Sequence, residues 1–401
     1  MDISFAQYMN QWLYGTNGYY SSAKMGNEKI GKSGDFYTAV TVSRFFGGCI
    51  ARHILDLLES NALELPLSVV EFGAHNGKLL SDIMQFLDAL SVGVMEQTKF
   101  FSIEPLPFLR EMQAQNPRIT PLKDLSELES NVAKSSTLDS KINNSKGSIF
   151  MLSNELFDAF ACDVIKDNRF CFIKQNRLDS KSKIVWKDST QVQHEIQTLE
   201  FSIIKQNFSK PTTKDSTQNI SLQIAHLKHI LATKEKLQII NGEIPLGLEE
   251  FIGRVCECCA KSAKSWRFLN FDYGHCKRQE RVSLRGYKSH RVLDFSEICE
   301  NLDELFGICD LTYEVDFSRI ITLFSAQGAN LYTKSSLNAA LVEFGISRML
   351  EDFFHFCQNA QKSQKDCKDF SKIYQQEVLR VRELLSPNGM GERFFCVEFG
   401  S

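Results

Sequence analysis

The stretch SVVEFGAHNGKLL, Ser68 to Leu80, decides the fold. Val69, Val70 and Phe72, with Glu71 among them, read as a short buried strand. Gly73-Ala-His-Asn-Gly77 reads as a tight loop. From Lys78 onward, Leu79, Leu80, Ile83, Met84, Leu87 and Leu90 recur at spacings of three and four, as on one face of a helix. Strand, glycine loop and helix are how an open α/β sheet begins a nucleotide site, because glycine lets the backbone turn sharply and approach a ligand. Further on, Phe100-Phe-Ser-Ile-Glu104 is a second apolar strand ending in a carboxylate, which there can accept hydrogen bonds from both hydroxyls of a ribose. The loop lacks a full GxGxxG, and no GK[ST] follows, so a P-loop is excluded. A glutamate-led glycine loop with a strand-end acid fits S-adenosylmethionine better than NAD.

Composition narrows the class. The chain has 401 residues, 43% of them hydrophobic, enough for one large domain with insertions or two ordinary ones. A formal net charge of −3 argues against a broad nucleic-acid surface. No run of 18 apolar residues predicts a membrane span. The first residues, MDISFAQYMNQWLYG, resemble neither a signal nor a transit peptide, and the 12 scattered cysteines suggest reduced thiols, so a cytoplasmic protein is expected.

Along the chain, residues 4–14 form a short amphipathic helix, and Ser43 caps a helix carrying Phe46, Ile50, Ile54, Leu57 and Leu58. Residues 1–64 are expected to be an N-terminal extension, a lid packed on the site. Residues 65–401 are then a nucleotide-type domain with an insertion at about 187–245, Lys-, Gln-, Thr- and Ser-rich in its first part. Ile119 to Leu125 reads as a third strand, residues 130–147 as an exposed loop, and Ser148 to Leu152 as a buried strand running into Ser153-Asn-Glu-Leu-Phe-Asp158. Val164 to Gln175 and Ser182 to Trp186 read as hairpin material. Gly247 to Ser265 is helical and Arg267 to Asp272 is another buried strand. Helices over Asn338 to Cys357 and Phe370 to Leu385 precede a terminal strand, Arg393 to Phe399. Strands alternating with helices predict a mostly parallel sheet covered on both faces and completed by an antiparallel hairpin.

GYY, GDFYTA, VSRFFGG, VEFGAHNGKLL, SNELFDAF, FDYG, LRGYKSHR, CDLTYEVDF, AQG and SPNGMGERF occur in one order. In this the sequence, from Tyr8 to Phe395, resembles the MidA-like family, whose mitochondrial members are protein-arginine methyltransferases acting in respiratory complex I assembly. The resemblance implies a class I, Rossmann-like methyltransferase sheet, S-adenosylmethionine as methyl donor and a protein arginine as acceptor. It makes a protein, such as a respiratory-complex subunit, the partner and leaves the oligomeric state open, a homodimer included. Two departures stand out: His75 replaces the family's middle glycine, and Phe160-Ala161 follows where proline is usual.

An arginine acceptor needs carboxylates beside its guanidinium, at the carboxyl ends of the central strands. Glu155 is the expected guanidinium-orienting group, Asn154 a second polar ligand and Asp158 a weaker partner, with Asp35 and Tyr37 closing over the site. Glu71, Gly73, Gly77 and Glu104 are expected to hold the cofactor, with Asp124 on the adenine side. The peptide would cross a groove between the N-terminal extension, the Asn154-Glu155 loop and residues 275–295. Plainer roles compete. Asn154-Glu155 suits a helix start, Asp35 and Tyr37 a structural turn, and Asp272 an N-cap or hydrogen-bonded support. Arg285 and His290 suit either substrate contact or loop docking. Cys256, Cys258 and Cys259 lack zinc-site spacing and read as small buried hydrophobes, so no metal is expected. Against an S-adenosylmethionine-dependent enzyme stands a non-catalytic assembly factor that keeps the fold, suggested by the altered GAHNG loop.

Overall fold

The structure is a computed structural model that describes residues 2–21, 38–138, 146–175, 181–208, 214–363 and 369–401. The chain divides into two compact units. One comprises Met1–Gly26, Ala159–Leu248 and Arg278–Glu314, the other Asn27–Asp158, Glu249–Lys277 and Val315–Ser401.

The second unit is built on a sheet of β1 (Leu67–Phe72), β2 (Thr98–Ile103), β3 (Ile119–Leu122), β4 (Ser148–Asn154), β5 (Trp266–His275), β6 (Asn330–Ser336) and β7 (Phe394–Gly400). Their spatial order is β6-β7-β5-β4-β1-β2-β3, and the short strand Val315–Asp316 adds to the end of β5. β1 to β5 are parallel, while β7 runs antiparallel to both β5 and β6. The expected parallel sheet with its antiparallel close is therefore present.

Apolar residues in unbroken runs mark strands buried on both faces. On one face Val69, Phe100, Phe150, Leu152, Leu269 and Phe271 join a core with α1 (Phe45–Glu59) and α2 (Lys78–Leu90). Gly47 permits the approach of these helices, since a methyl there would come within 2.7 Å of Asp82 Cβ. On the other face Phe251 of α3 (Leu248–Ser262) meets Phe72, and Phe324 of α4 (Phe317–Ala326) stacks on Phe399 at 4.1 Å.

The other unit holds an antiparallel sheet in the order Ile3–Ser4, Arg169–Gln175, Cys162–Lys166, Gly242–Pro245, with Ser182–Lys187 paired to Arg169–Gln175. The helix Phe5–Tyr14 starts at a Ser4 capping box and buries Phe5, Tyr8 and Trp12 in this unit's own core, with Phe295 and Leu311. The boundaries differ from those expected. The first residues belong with this unit rather than to a single 1–64 extension, and the inserted material is 159–248 plus 278–314 rather than about 187–245 alone. The insertion, for which the sequence suggested no regular element over about 187–222, carries helices of its own. Residues 189–208 and 214–237 are helices (Ser189–Phe208, Lys214–Leu237), each with a buried stripe only one apolar residue wide per turn, such as Val192, Ile196 and Leu199. Of the expected loop 130–147, residues 130–138 instead continue a helix, Leu125–Leu138, and residues 139–145 lie outside the described residues.

Phe150 lies fully buried on the central strand β4. Phe150→Ala is expected to destabilise the sheet unit by about 3–5 kcal/mol. A urea titration followed by tryptophan fluorescence and circular dichroism checks this, and an unchanged midpoint would contradict the packing described.

Candidate active site

Parallel register brings the predicted residues into one row. Phe72 pairs with Ile103 on one side and with Ser153 on the other. The residues that follow each, Gly73, Glu104 and Asn154, therefore leave the sheet side by side, at strand spacings of about 4.8 Å. Asn154 in turn pairs with Phe271 of β5.

The loop after β1 turns through the left-handed region at Gly73 (φ +66°), His75 (φ +46°) and Gly77 (φ +75°). A Cβ on Gly73 would stand 3.2 Å from the Leu156 side chain. His75 occupies the missing glycine's place because its carbonyl is held by Gln113 Nε2 at 2.8 Å, and Gln113 Oε1 accepts from Ser102 Oγ on β2 at 2.6 Å. Gln113 and Ser102 escaped the sequence reading, since neither stands in a recognisable pattern. Burial lowers the His75 pKa, which keeps the ring neutral.

Glu71 is buried beneath this loop, where the Leu80 N–H hydrogen-bonds its carboxylate, and its Oε2 has no protein partner among the described residues. Burial, reinforced by the carboxyls of Asp82 and Glu104, pushes its pKa up to about 8. Glu104 is also buried, with Oε1 accepting the Leu106 N–H at 3.1 Å. Burial raises it to about 7, against the opposing pull of the Leu106 N–H and Arg110. Asp124 is exposed after β3, and its Oδ1 accepts the N–H groups of Ser126 and Glu127, so it caps a helix.

Glu155 stands just past β4 with φ +52°, an outlier for a residue with a Cβ. Its N–H donates to Phe271 O at 2.9 Å. Its Oε1 accepts Asn154 Nδ2 at 3.0 Å and the Ala39 N–H at 3.3 Å. The carboxylate fixes which way the Asn154 amide points, and Asn154 Oδ1 is left buried without a hydrogen-bond partner among the described residues. The plain reading of Asn154-Glu155 as a helix start fits less well, because the 3₁₀ turn beyond it begins at Phe157. Asp158 is buried on that turn. Asp272, fully buried on β5, accepts the N–H groups of Leu156 (3.1 Å), Phe157 (2.8 Å) and Tyr273 (3.1 Å), the hydrogen-bonded support expected of it. Asp35 and Tyr37 lie outside the described residues. Arg285 pairs with Glu314, within the other unit.

Cys256, Cys258 and Cys259 are buried on α3, and burial pushes the Cys256 and Cys258 thiols up to about 11. Among the described residues no group of three His, Cys, Asp or Glu side chains could hold a metal, and no helix is long and apolar enough to cross a membrane.

A doubly wound sheet closed by an antiparallel strand, with a glycine turn and a strand-end acid in one row, defines the class of S-adenosylmethionine-dependent methyltransferases. A model of a family of S-adenosyl-L-methionine-dependent methyltransferases matches residues 49–334. The chain belongs to this family, the MidA-like methyltransferases. The Caenorhabditis elegans protein named protein arginine methyltransferase NDUFAF7 homolog, mitochondrial, is 21% identical over 396 residues, 92% of this chain and 79% of that protein. The Danio rerio protein arginine methyltransferase NDUFAF7 is 32% identical over 118 residues, 28% of this chain and 26% of that one. A crystal structure of a Burkholderia thailandensis protein bound to S-adenosyl-homocysteine shares the fold, with TM-score 0.67 and 19% identity over 100% of this chain and 88% of that chain. The cofactor of this family is S-adenosylmethionine. The residues present fit it: the left-handed turn brings backbone to the sheet edge, and Glu71 keeps a buried oxygen without a protein partner among the described residues.

Glu71 links stability to pH. Folded, its carboxyl keeps a proton up to about pH 8, whereas an unfolded glutamate releases it near about 4.3. The folded state therefore binds more protons in that window. The contribution is fully present below the lower value and is lost as pH rises through the upper one. Glu71→Gln is expected to match the wild-type melting temperature near pH 5 and to exceed it increasingly towards pH 8.5. A gap that does not widen over that range would contradict the protonated buried carboxyl.

Proposed function

We propose that this methyltransferase modifies arginine side chains on a protein substrate, with Glu155 and Asn154 as the acceptor-binding pair. The observation that carries this reading is the Asn154 amide. Its orientation is fixed by Glu155, so a buried acceptor oxygen with no partner among the described residues sits beside a carboxylate. Two adjacent acceptors suit the planar fork of a guanidinium. The left-handed strain at Glu155 belongs to the same reading, since such outliers persist where the surroundings hold them and cluster at functional sites. The names of the relatives support arginine as the acceptor.

The bound cofactor supplies an electrophilic methyl group on a sulfonium. The protein's task is to bring the acceptor nitrogen in line with it and keep water away. In this reading Glu104 accepts the ribose hydroxyls, Gly73 and Gly77 let the backbone approach, and Glu71 supports the turn from beneath while offering its Oε2 to a donor of the cofactor. Asp124, engaged as a helix cap, keeps at most an adenine-side contact. Glu155 and Asn154 orient the guanidinium, and the Glu155 carboxylate offsets its charge until a proton leaves. The partner is a protein, with a respiratory-complex subunit as one such substrate. Against the non-catalytic alternative, His75 itself takes a left-handed conformation, so the turn forms here without a middle glycine.

Glu155→Gln is expected to leave folding and S-adenosylmethionine affinity intact while lowering transfer of tritiated methyl to protein at least about 100-fold, in the range typical for loss of a positioned catalytic group. Wild-type transfer rates in that variant would remove Glu155 from the chemistry.

Glu104 gives a second expectation. Only its ionised form accepts both hydroxyls, and its carboxyl titrates near about 7. Calorimetric affinity for S-adenosylmethionine should therefore tighten between pH 6 and 8 in the wild type and stay flat in Glu104→Gln. A flat wild-type profile would contradict the role of Glu104.

A further inference from the structure

We infer that Asp272 is a positioning residue for methyl transfer, setting the place and angle of the Glu155 carboxylate through the backbone of the tip that carries it. The inference rests on the reading of Glu155 given above and goes beyond it.

Glu155 lies in a left-handed conformation that a residue with a Cβ does not adopt without support. Its own N–H is tied to Phe271 O, the residue immediately before Asp272. The next two N–H groups, of Leu156 and Phe157, both converge on Asp272 Oδ2. Asp272 Oδ1 accepts its neighbour's N–H, from Tyr273. Three successive amides of the tip are thus held by two successive residues of β5. Asn154 Nδ2 and the Ala39 N–H hold the Glu155 carboxylate directly, and the bonds to β5 set the place of the turn that presents it.

Asp272 is itself held. Asn270 Nδ2 lies 3.5 Å from its Oδ2 and donates to Ser153 Oγ at 3.1 Å, so a buried polar chain runs from β4 through Asn270 to Asp272 and back to the tip beyond β4. All three side chains are fully buried. A buried network of this kind is retained at a cost in desolvation, because burial raises the Asp272 carboxyl to about 7 against four donors that lower it. An apolar residue in its place would pack the sheet equally well but would leave the Leu156 and Phe157 amides without acceptors. The cost is understandable if the direction of Glu155 matters.

Asp272 acts through Glu155 alone in this scheme, which a double-mutant cycle can read. Asp272→Asn keeps the size of the side chain but puts an NH₂ where one acceptor oxygen was. It is expected to lower the maximal rate of tritiated methyl transfer to a hypomethylated cell lysate at least about tenfold, with KM for S-adenosylmethionine within about twofold of wild type. In the Glu155→Gln background it should change the residual rate by less than about twofold, because a residue that works only through Glu155 has nothing left to position. Asn270→Ala removes only one donor to Asp272 and carries the same test should Asp272→Asn fail to fold. It should produce a smaller fall in rate that again vanishes without Glu155. A wild-type rate in Asp272→Asn beside an inactive Glu155→Gln would overturn the inference alone, as would equal fractional losses in both backgrounds. A wild-type rate in Glu155→Gln would instead overturn the reading on which it rests.

Discussion

Parallel pairing in step of β1, β2, β4 and β5 is the constraint from which the rest of the sheet unit follows. Once Phe72 stands opposite both Ile103 and Ser153, and Asn154 opposite Phe271, β1, β2 and β4 end side by side next to β5. Gly73, Glu104 and Asn154 follow there, and none has to be brought to the edge by a long excursion. A slip of one residue in any pair would reverse the faces of that strand and move its terminal acid off the row. The dense apolar packing on both sides of β1 and β4 therefore also holds the site's geometry.

The row is unusually rich in buried carboxyls. Glu71, Glu104 and Asp272 all lie out of water, and burial is the largest influence on each, raising all three. Each has backbone N–H groups as partners, from Leu80, from Leu106, and from Leu156 with Phe157. These bonds tie the first turn of α2 and two loops to the strands. The same groups that give the edge its acidity thus also hold its backbone in place. A rigid, pre-shaped edge suits in-line transfer, where small misplacement of the acceptor is costly.

Much of this was legible in the sequence because local and global signals agreed. The strand–glycine–helix run at Ser68–Leu80, the acid closing Phe100–Glu104 and the acids after Ser148–Asn154 each rest on short apolar runs bounded by turn residues. Other features were hidden for physical reasons. The helices Ser189–Phe208 and Lys214–Leu237 bury stripes too thin to rise above a polar composition. The division into units depends on segments far apart in the chain, 1–26 with 159–248 and 278–314, which no local period reports. Gln113 and Ser102 matter only through the carbonyl of His75, a backbone partner that leaves no trace in side-chain pattern. Asp124 has the sequence place of a ligand-contacting acid but spends one oxygen on a helix start, a competition that spacing cannot resolve.

The most direct measurement is the chemical identity of the methylated group. Lysate protein from cells lacking the enzyme would be incubated with purified enzyme and S-adenosylmethionine carrying a deuterated methyl, digested, and sequenced by tandem mass spectrometry. The expected result is the heavy methyl on arginine guanidinium nitrogens of one or a few proteins. Heavy methyl on lysine, carboxylate or hydroxyl groups, with none on arginine, would contradict the acceptor chemistry assigned to Asn154 and Glu155.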